Sequence, residues 1–225
     1  MSEKESLSDF TVVCASFQTS GKGQMGSEWV SECSENLTFS VFLNTSFLTL
    51  ENHFYLNCAV SISVFNVLQR FKVPQLSIKW PNDILSGRKK MSGILIENVL
   101  KPSSETYSII GVGLNVNQTE FDPIFKASSL KSVLGENFNL DELLILLVTE
   151  LQYQFELVKR GCFRKLHMTY EEHLFRKNKP STFKNVEGEL FSGFIKHVIP
   201  TGELQVLVED NILKVFKLKE IKLLY

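Results

Sequence analysis

The chain reads as an α+β protein, a mixed or antiparallel sheet with packed helices, followed by a small all-β domain. Three observations predict this. Residues 1–178 mix β-branched strand-like runs with long stretches of helical spacing. After Asn178-Lys179-Pro180 only short alternating runs remain. The 225 residues are 44% hydrophobic and 22% charged, a globular composition too apolar for disorder. That length suits one domain with a smaller one appended, and the expected division is 1–178 and 179–225.

Taken in order, Phe10 to Phe17 (FTVVCASF) is an expected strand, β-branched and apolar. A glycine-rich segment, Gln18 to Gly26, separates it from a half-buried strand over Leu37 to Leu43. From Thr49 to Phe71 the apolar residues Leu50, Phe54, Cys58, Ile62, Phe65 and Leu68 recur at helical spacing, which predicts a core helix. Leu76 to Trp80 is a short strand that Pro81 stops, and a turn containing Asn82, Asp83 and Gly87 follows. Met91 to Val99 and Thr106 to Asn117 are read as antiparallel neighbours across a Lys101-Pro102-Ser103-Ser104 turn. Asn139 is an N-cap with Asp141 and Glu142 in the favourable first turn. Its helix runs to Lys159-Arg160, ahead of Gly161, and a second helix spans Phe163 to Phe175. Beyond Ser181, the runs FKNVE, ELFSGFIKHVI, ELQVLVE and NILKVFKL make a small antiparallel sheet or barrel. A unit that small needs to pack on the main domain.

Charge and composition exclude several functions. Lys+Arg 24 against Asp+Glu 25 leaves a net charge of -1, so general nucleic-acid binding, which needs a basic surface, is not expected. The longest aliphatic run, Leu143 to Val148, is far short of the roughly 20 residues that span a bilayer. No basic-then-apolar stretch opens the chain, so a soluble, cytoplasmic protein is expected. Cys14, Cys33, Cys58 and Cys162 are scattered without zinc-site spacing, and Cys14 and Cys58 read as small core residues. His53, His167, His173 and His197 read as surface or helix-face residues, and the N-x-S/T matches at Asn36, Asn44 and Asn117 as coincidence.

Three segments carry possible chemistry. Gly21-Lys22-Gly23-Gln24-Met25-Gly26 places three glycines around one cation, so backbone amides can approach an anion closely. It lacks the Lys-Ser/Thr end of a P-loop, and alone it reads first as a flexible surface loop. Trp29 can supply a flat apolar wall beside it. Next, Lys79-Trp80-Pro81-Asn82-Asp83 sets a carboxylate at a strand end, able to face Mg²⁺ or a cation. Lys90 then enters a strand with Gly93 three residues on, a placement that suits a carboxylate or phosphoryl oxygen. The plain alternatives are a turn-capping aspartate and a solvated hairpin at Arg88 to Lys90. Third, Gly111-Val112-Gly113-Leu114-Asn115 puts glycines inside a strand, where a ligand or another backbone usually approaches. Asn115 offers one donor and one acceptor to a base edge, and the alternative is a bulge.

Together and in this order, Q-T-x-G-K-G-Q-x-G-x-x-W, K-W-P-N-D-x-x-x-x-x-K-K-x-S-G-I-L-I-E and G-V-G-L-N-V-N resemble biotin–protein ligases of the monofunctional type. The resemblance runs from about Phe10 to the end, with the last part matching in pattern more than identity, and K-W-P-N-D with its downstream lysine is its most specific part. It implies a class II synthetase-like catalytic domain with an SH3-like β-barrel at the C-terminus. The implied activity is ATP-dependent formation of biotinyl-5′-AMP and transfer of biotin to a lysine of a biotin carboxyl carrier domain, part of a biotin-dependent carboxylase. ATP, Mg²⁺ and biotin are the implied ligands, with Mg²⁺ near Asp83.

On the same resemblance Lys90, Asp83 and Lys22 are the catalytic residues. Gln18, Gly21, Lys22, Gly23, Gln24, Lys90 and Gly93 face biotin, and Lys22, Gly26, Trp29, Asn82, Asn115 and Gly113 face the nucleotide. Lys22 stands where an arginine is common, keeping charge without the bidentate fork, and Gln24 where many members have a second arginine. The family's S-T-N motif, upstream of the Gln18 strand, has no counterpart here. Neither has a helix-turn-helix, so DNA binding is not expected; a homodimer through sheet edges is an option. Two alternatives remain. A lipoate ligase or octanoyltransferase shares the fold but centres on a differently placed lysine. A truncated, non-catalytic biotin or nucleotide binder is favoured by the missing S-T-N and opposed by Asp83 and Lys90.

Overall fold

The structure, a computed structural model, describes residues 7–100, 106–124 and 126–225. The strands are β1 (Thr11–Ala15), β2 (Gly21–Lys22), β3 (Glu28–Trp29) and β4 (Asn36–Asn44), followed by helix α1 (His53–Arg70). Next come β5 (Leu76–Lys79), β6 (Asp83–Ser86), β7 (Lys89–Leu100) and β8 (Thr106–Asn115), then α2 (Leu130–Leu134), α3 (Leu140–Lys159) and α4 (Phe163–Glu172). The chain ends in β9 (Pro180–Asn185), β10 (Leu190–Val198), β11 (Leu204–Leu207), β12 (Leu213–Phe216) and β13 (Ile221–Leu224).

Six strands form one antiparallel sheet in the order β1-β4-β8-β7-β6-β5. Side chains alternate across it, as the pleat requires. Leu37, Phe39, Val41 and Leu43 of β4 are buried, as are Ile110, Val112 and Leu114 of β8. They pack with α1, whose buried residues lie all round it because α3 and α4 cover its far side. Asn139 Oδ1 caps α3, accepting from Asp141 N at 2.9 Å and Glu142 N at 3.2 Å. With helices on one face only, the other is free to carry a site.

The last five strands form a second antiparallel sheet, β12-β11-β10-β9-β13, around Phe183, Ile195, Leu204, Val206 and Ile221. The linker knits the two sheets together. Ile78 N donates to His173 O and Phe175 N to Ile78 O, both at 2.8 Å, covering the open edge of β5. Asn178 N then donates to Ile195 O at 2.9 Å.

Several expectations change. Asp83 does not sit in a turn: it opens β6, which pairs with both β5 and β7. Cys14 is exposed, unlike the buried Cys58. It lies on the edge strand β1 beside the start of α3, where the helix layer runs out. The helix α2 and the strand β13 are additional elements; Ser129, accepting from Ser132 N at 3.1 Å, caps the former. The Lys101 to Ser104 turn lies outside the described residues.

Candidate functional site

The helix-free face of the large sheet is the floor of a cleft of about 820 Å³. Its middle is a strip of three strands in register: Thr38, Gly113 and Gly93, then Ser40, Gly111 and Leu95. Glycines on two neighbouring strands remove side chains from the floor and leave a groove.

At one end of the groove lies a charged cluster. The Asp83 carboxylate meets Lys90 Nζ at 2.6 Å through Oδ1 and Lys79 Nζ at 3.1 Å through Oδ2. Burial pushes the carboxyl up, but the Lys90 and Lys79 ammonium groups outweigh it and hold the group below its usual value of 3.8. Lys90 reaches this position through a bulge. Ile84 pairs with Ser92 and Leu85 with Lys90, so Met91 is an extra residue in β7. Bulges re-aim side chains, and here Lys90 Nζ lies 2.9 Å from where a Cβ on Gly93 would stand. The Lys90 backbone is pinned as well. Its N donates to Lys126 O at 2.6 Å, and its O accepts from Ser128 N at 3.0 Å.

The glycine-rich segment is folded as a hairpin rather than left as an open loop. Gly21 pairs with Trp29 and Lys22 with Glu28, and Gly23 N donates to Ser27 O at 2.6 Å. A Cβ at Gly21 would stand 2.3 Å from Trp29 O. The hairpin lays the indole on the floor: a Cβ at Gly113 would stand 2.4 Å from Trp29 Cε2, and Lys90 Nζ is 5.7 Å from the ring centroid. Trp29 Nε1 is buried and has no hydrogen-bond partner, an unusual state for an indole donor.

The sequence comparison decides the family. The model of the biotin/lipoate A/B protein ligase family matches residues 2–115. The chain belongs to this family. The bifunctional ligase/repressor BirA of Bacillus spizizenii is 28% identical over 212 residues, covering 92% of this chain and 64% of that protein. Its Bacillus subtilis counterpart is 34% identical over 133 residues, covering 57% and 41%. The chain thus spans less than two thirds of the length of these curated relatives. Among solved structures, the biotin protein ligase of Aquifex aeolicus in complex with biotin and ATP superposes with a TM-score of 0.82 at 26% identity, covering 98% and 91% of the two chains.

In this member of the biotin/lipoate ligase family, Gln18, Lys22, Gly23, Gln24, Trp29, Asn82, Asp83, Lys90, Gly93 and Gly113 all border the one cleft. Gly21 is buried in the first strand of the hairpin, and Gly26 is exposed at the hairpin's far end with φ 82. Asn82 is buried and bridges to β7: its Nδ2 donates to Ile94 O, and its O accepts from Ile94 N at 3.1 Å. Asn115 borders a smaller pocket of about 130 Å³, shared with Trp29, Lys90, Gln118 and Phe121. Its Nδ2 donates to Ser128 O at 3.1 Å and Lys90 O at 3.4 Å. Both donors being committed to backbone, only its oxygen is left for a base edge.

Residues the motifs did not single out also enter the cleft. Thr38 and Ser40 line its floor, and Leu218, Lys219 and Lys222 reach it from the second sheet. Alternation along β4 is a signal for the first pair; nothing local marks the lysines. Tyr225, its hydroxyl pushed up to about 12 by burial and by the Asp83 charge, places its ring 5.7 Å from Lys79 Nζ and 5.0 Å from Lys126 Nζ. Among the described residues no group of three His, Cys, Asp or Glu side chains can hold a metal. Asp83 does not fit a divalent cation well, since both of its oxygens already face ammonium groups.

Proposed function

We propose that this chain is a biotin–protein ligase that activates biotin with ATP and transfers it to a lysine of a biotin carboxyl carrier domain. The carrying observation is the Lys79–Asp83–Lys90 cluster at the end of a glycine-floored groove against whose floor Trp29 lies. Support for biotin over lipoate comes from the biotin-ligase names of the relatives and from the K-W-P-N-D segment that holds Asp83. Residues 1–178 act as the catalytic domain and 179–225 as an SH3-like C-terminal domain.

The chemistry joins two anions. A biotin carboxylate oxygen attacks the α-phosphorus of ATP, the bond to the pyrophosphate oxygen breaks, and pyrophosphate leaves. Lys90 and Lys22 offset the repulsion, and preorganised cations of this kind act most on charge that develops in the transition state. A divalent cation brought with ATP would add its charge to that of Lys90 and Lys22. Trp29 and the small pocket by Asn115 suit the adenine, while Gln18 and the hairpin cover biotin and keep water from the mixed anhydride. An uncharged acceptor amine then attacks the acyl carbon, the acyl C–O bond to AMP breaks, AMP leaves and the amine's proton passes to solvent. Asp83, held ionised by two ammonium groups, is a weak base and orients cations rather than removing their protons. The test is to supply MgATP with biotin, lipoate or octanoate in turn. Only biotin should give an acyl-adenylate; a lipoyl-adenylate alone would move the assignment to the family's other branch.

A further inference from the structure

The Lys79–Asp83–Lys90 cluster depends on a three-residue connection, Trp80-Pro81-Asn82, between β5 and β6. Each of these residues is anchored to a different part of the molecule. Asn82 is tied to β7, as described above. The Pro81 carbonyl accepts two donors, Asn57 Nδ2 of α1 at 2.8 Å and Tyr170 Oη of α4 at 3.0 Å. Trp80 Nε1 donates to Gly202 O at 2.8 Å, in the turn between β10 and β11. That turn rests directly on α1, since a Cβ at Gly202 would lie 2.7 Å from Phe54 Cδ2.

We propose that Tyr170 and Trp80 are positioning residues, which hold the Lys79–Asp83 hairpin in place from α4 and from the second sheet. Neither borders the groove floor; the Tyr170 bond ends two residues from Asp83, at Pro81 O, and the Trp80 bond starts three residues from it. Tyr170 is fully buried, so its hydroxyl needs a partner, and the partner it has is the carbonyl of the connection. The adjoining residue binds the other way: Glu171 accepts from Val198 N at 2.7 Å and Lys177 Nζ at 3.0 Å. One turn of α4 therefore clasps the second sheet and the charged hairpin together. A displacement of about 1 Å at a reacting centre can cost about 10²-fold in rate, so a connection fixed at three points is a means of keeping Lys90 in register.

The proposal rests on the ligase reading, and the test separates the two. Tyr170→Phe and Trp80→Phe each delete one donor and retain a ring. Adenylate formation is measured for both, with Ser63→Ala as a control that removes a buried hydroxyl of α1 bonded to Ala59 O. The expected result is a fall in kcat of about ten-fold or more, with KM for biotin changed by less than about two-fold. The acid limb of kcat should also move to higher pH, because a looser hairpin lets Asp83 slip from its ammonium partners and its carboxyl rise. The groups facing Asp83 are Lys79 of β5, Lys90 of β7, Tyr225 just after β13 and Tyr170 of α4. Ser63→Ala should keep the wild-type kcat and limb. Lower melting temperatures with kcat and the acid limb unchanged would overturn the proposal, as would the same kinetic losses in the control. Should Tyr170→Phe fail to fold, Trp80→Phe decides alone. A wild-type chain that makes no adenylate overturns the ligase reading and the proposal with it.

Discussion

At the scale of single residues, Gly113 decides how the cleft closes. A methyl group there would stand 2.4 Å from the Trp29 ring, and a real contact that short does not persist. Gly113→Ala should therefore lift the indole from the floor. The expected outcome is a red-shifted Trp29 emission, measured in a Trp80→Phe background, and nucleotide affinity weakened by about ten-fold or more. Gly113 and Lys90 stand out in the sequence because a glycine within a strand and a lysine three residues before a glycine are local signals, and the fold brings both to one cleft with Trp29. Thr38 and Ser40 border the same floor; alternation along β4 marks their face, but nothing in the strand alone says that a cleft lies over it. Asn115 stands out in the sequence, and it borders the smaller pocket rather than the main cleft. Its bonds leave no local signal, because Lys90 O lies on the neighbouring strand β7 and Ser128 O on a segment that folds back against it.

At the scale of elements, the helices α1 and α3 follow their apolar spacing and capping, whereas the short strands do not announce themselves. Asn82-Asp83 has the composition of a turn, yet β6 forms because β5 and β7 present edges on both sides. The end of α4 carries a pH-dependent contact. His173 stacks on Phe65 of α1 with centroids 4.0 Å apart. Burial disfavours its imidazolium and lowers the pKa below 6.5, against an opposing pull from Glu172. A lowered histidine means that the unfolded chain binds the proton more readily. The contribution is thus complete above about pH 6.5 and declines as pH falls below it. His173→Phe keeps the stack and should reduce the drop in melting temperature between pH 7.5 and 5.5, as read by thermal denaturation.

At the scale of the whole molecule, the second sheet is part of the cleft wall and not a separate appendage. The sequence predicts only that a unit this small must pack on the main domain. Where it packs depends on the linker pairing with β5 and on Glu171, long-range contacts that leave no local pattern. Burial raises the Glu171 carboxyl, but the Val198 amide, Lys177 and His197 outweigh this and hold it below 4.5. A depressed carboxylate contributes fully above its unfolded value, so this clasp should hold at neutral pH and weaken as pH falls below 4.5. Glu171→Ala should speed amide exchange throughout β9 to β13 at pH 7, with far less effect on β4 and β8, as hydrogen–deuterium exchange will report. No helix among the described residues is long and apolar enough to cross a membrane.

The central claim is that Lys90, held by Asp83 at the end of the glycine-floored groove, drives attack of a biotin carboxylate on ATP. The most direct measurement uses the 225-residue chain with biotin, Mg²⁺ and ATP labelled at the α-phosphate, beside Lys90→Ala. The account predicts labelled biotinyl-adenylate and released pyrophosphate from the wild type, with the rate in the variant lower by about 10²-fold or more. Equal adenylate from both proteins, or none from the wild type, would contradict it.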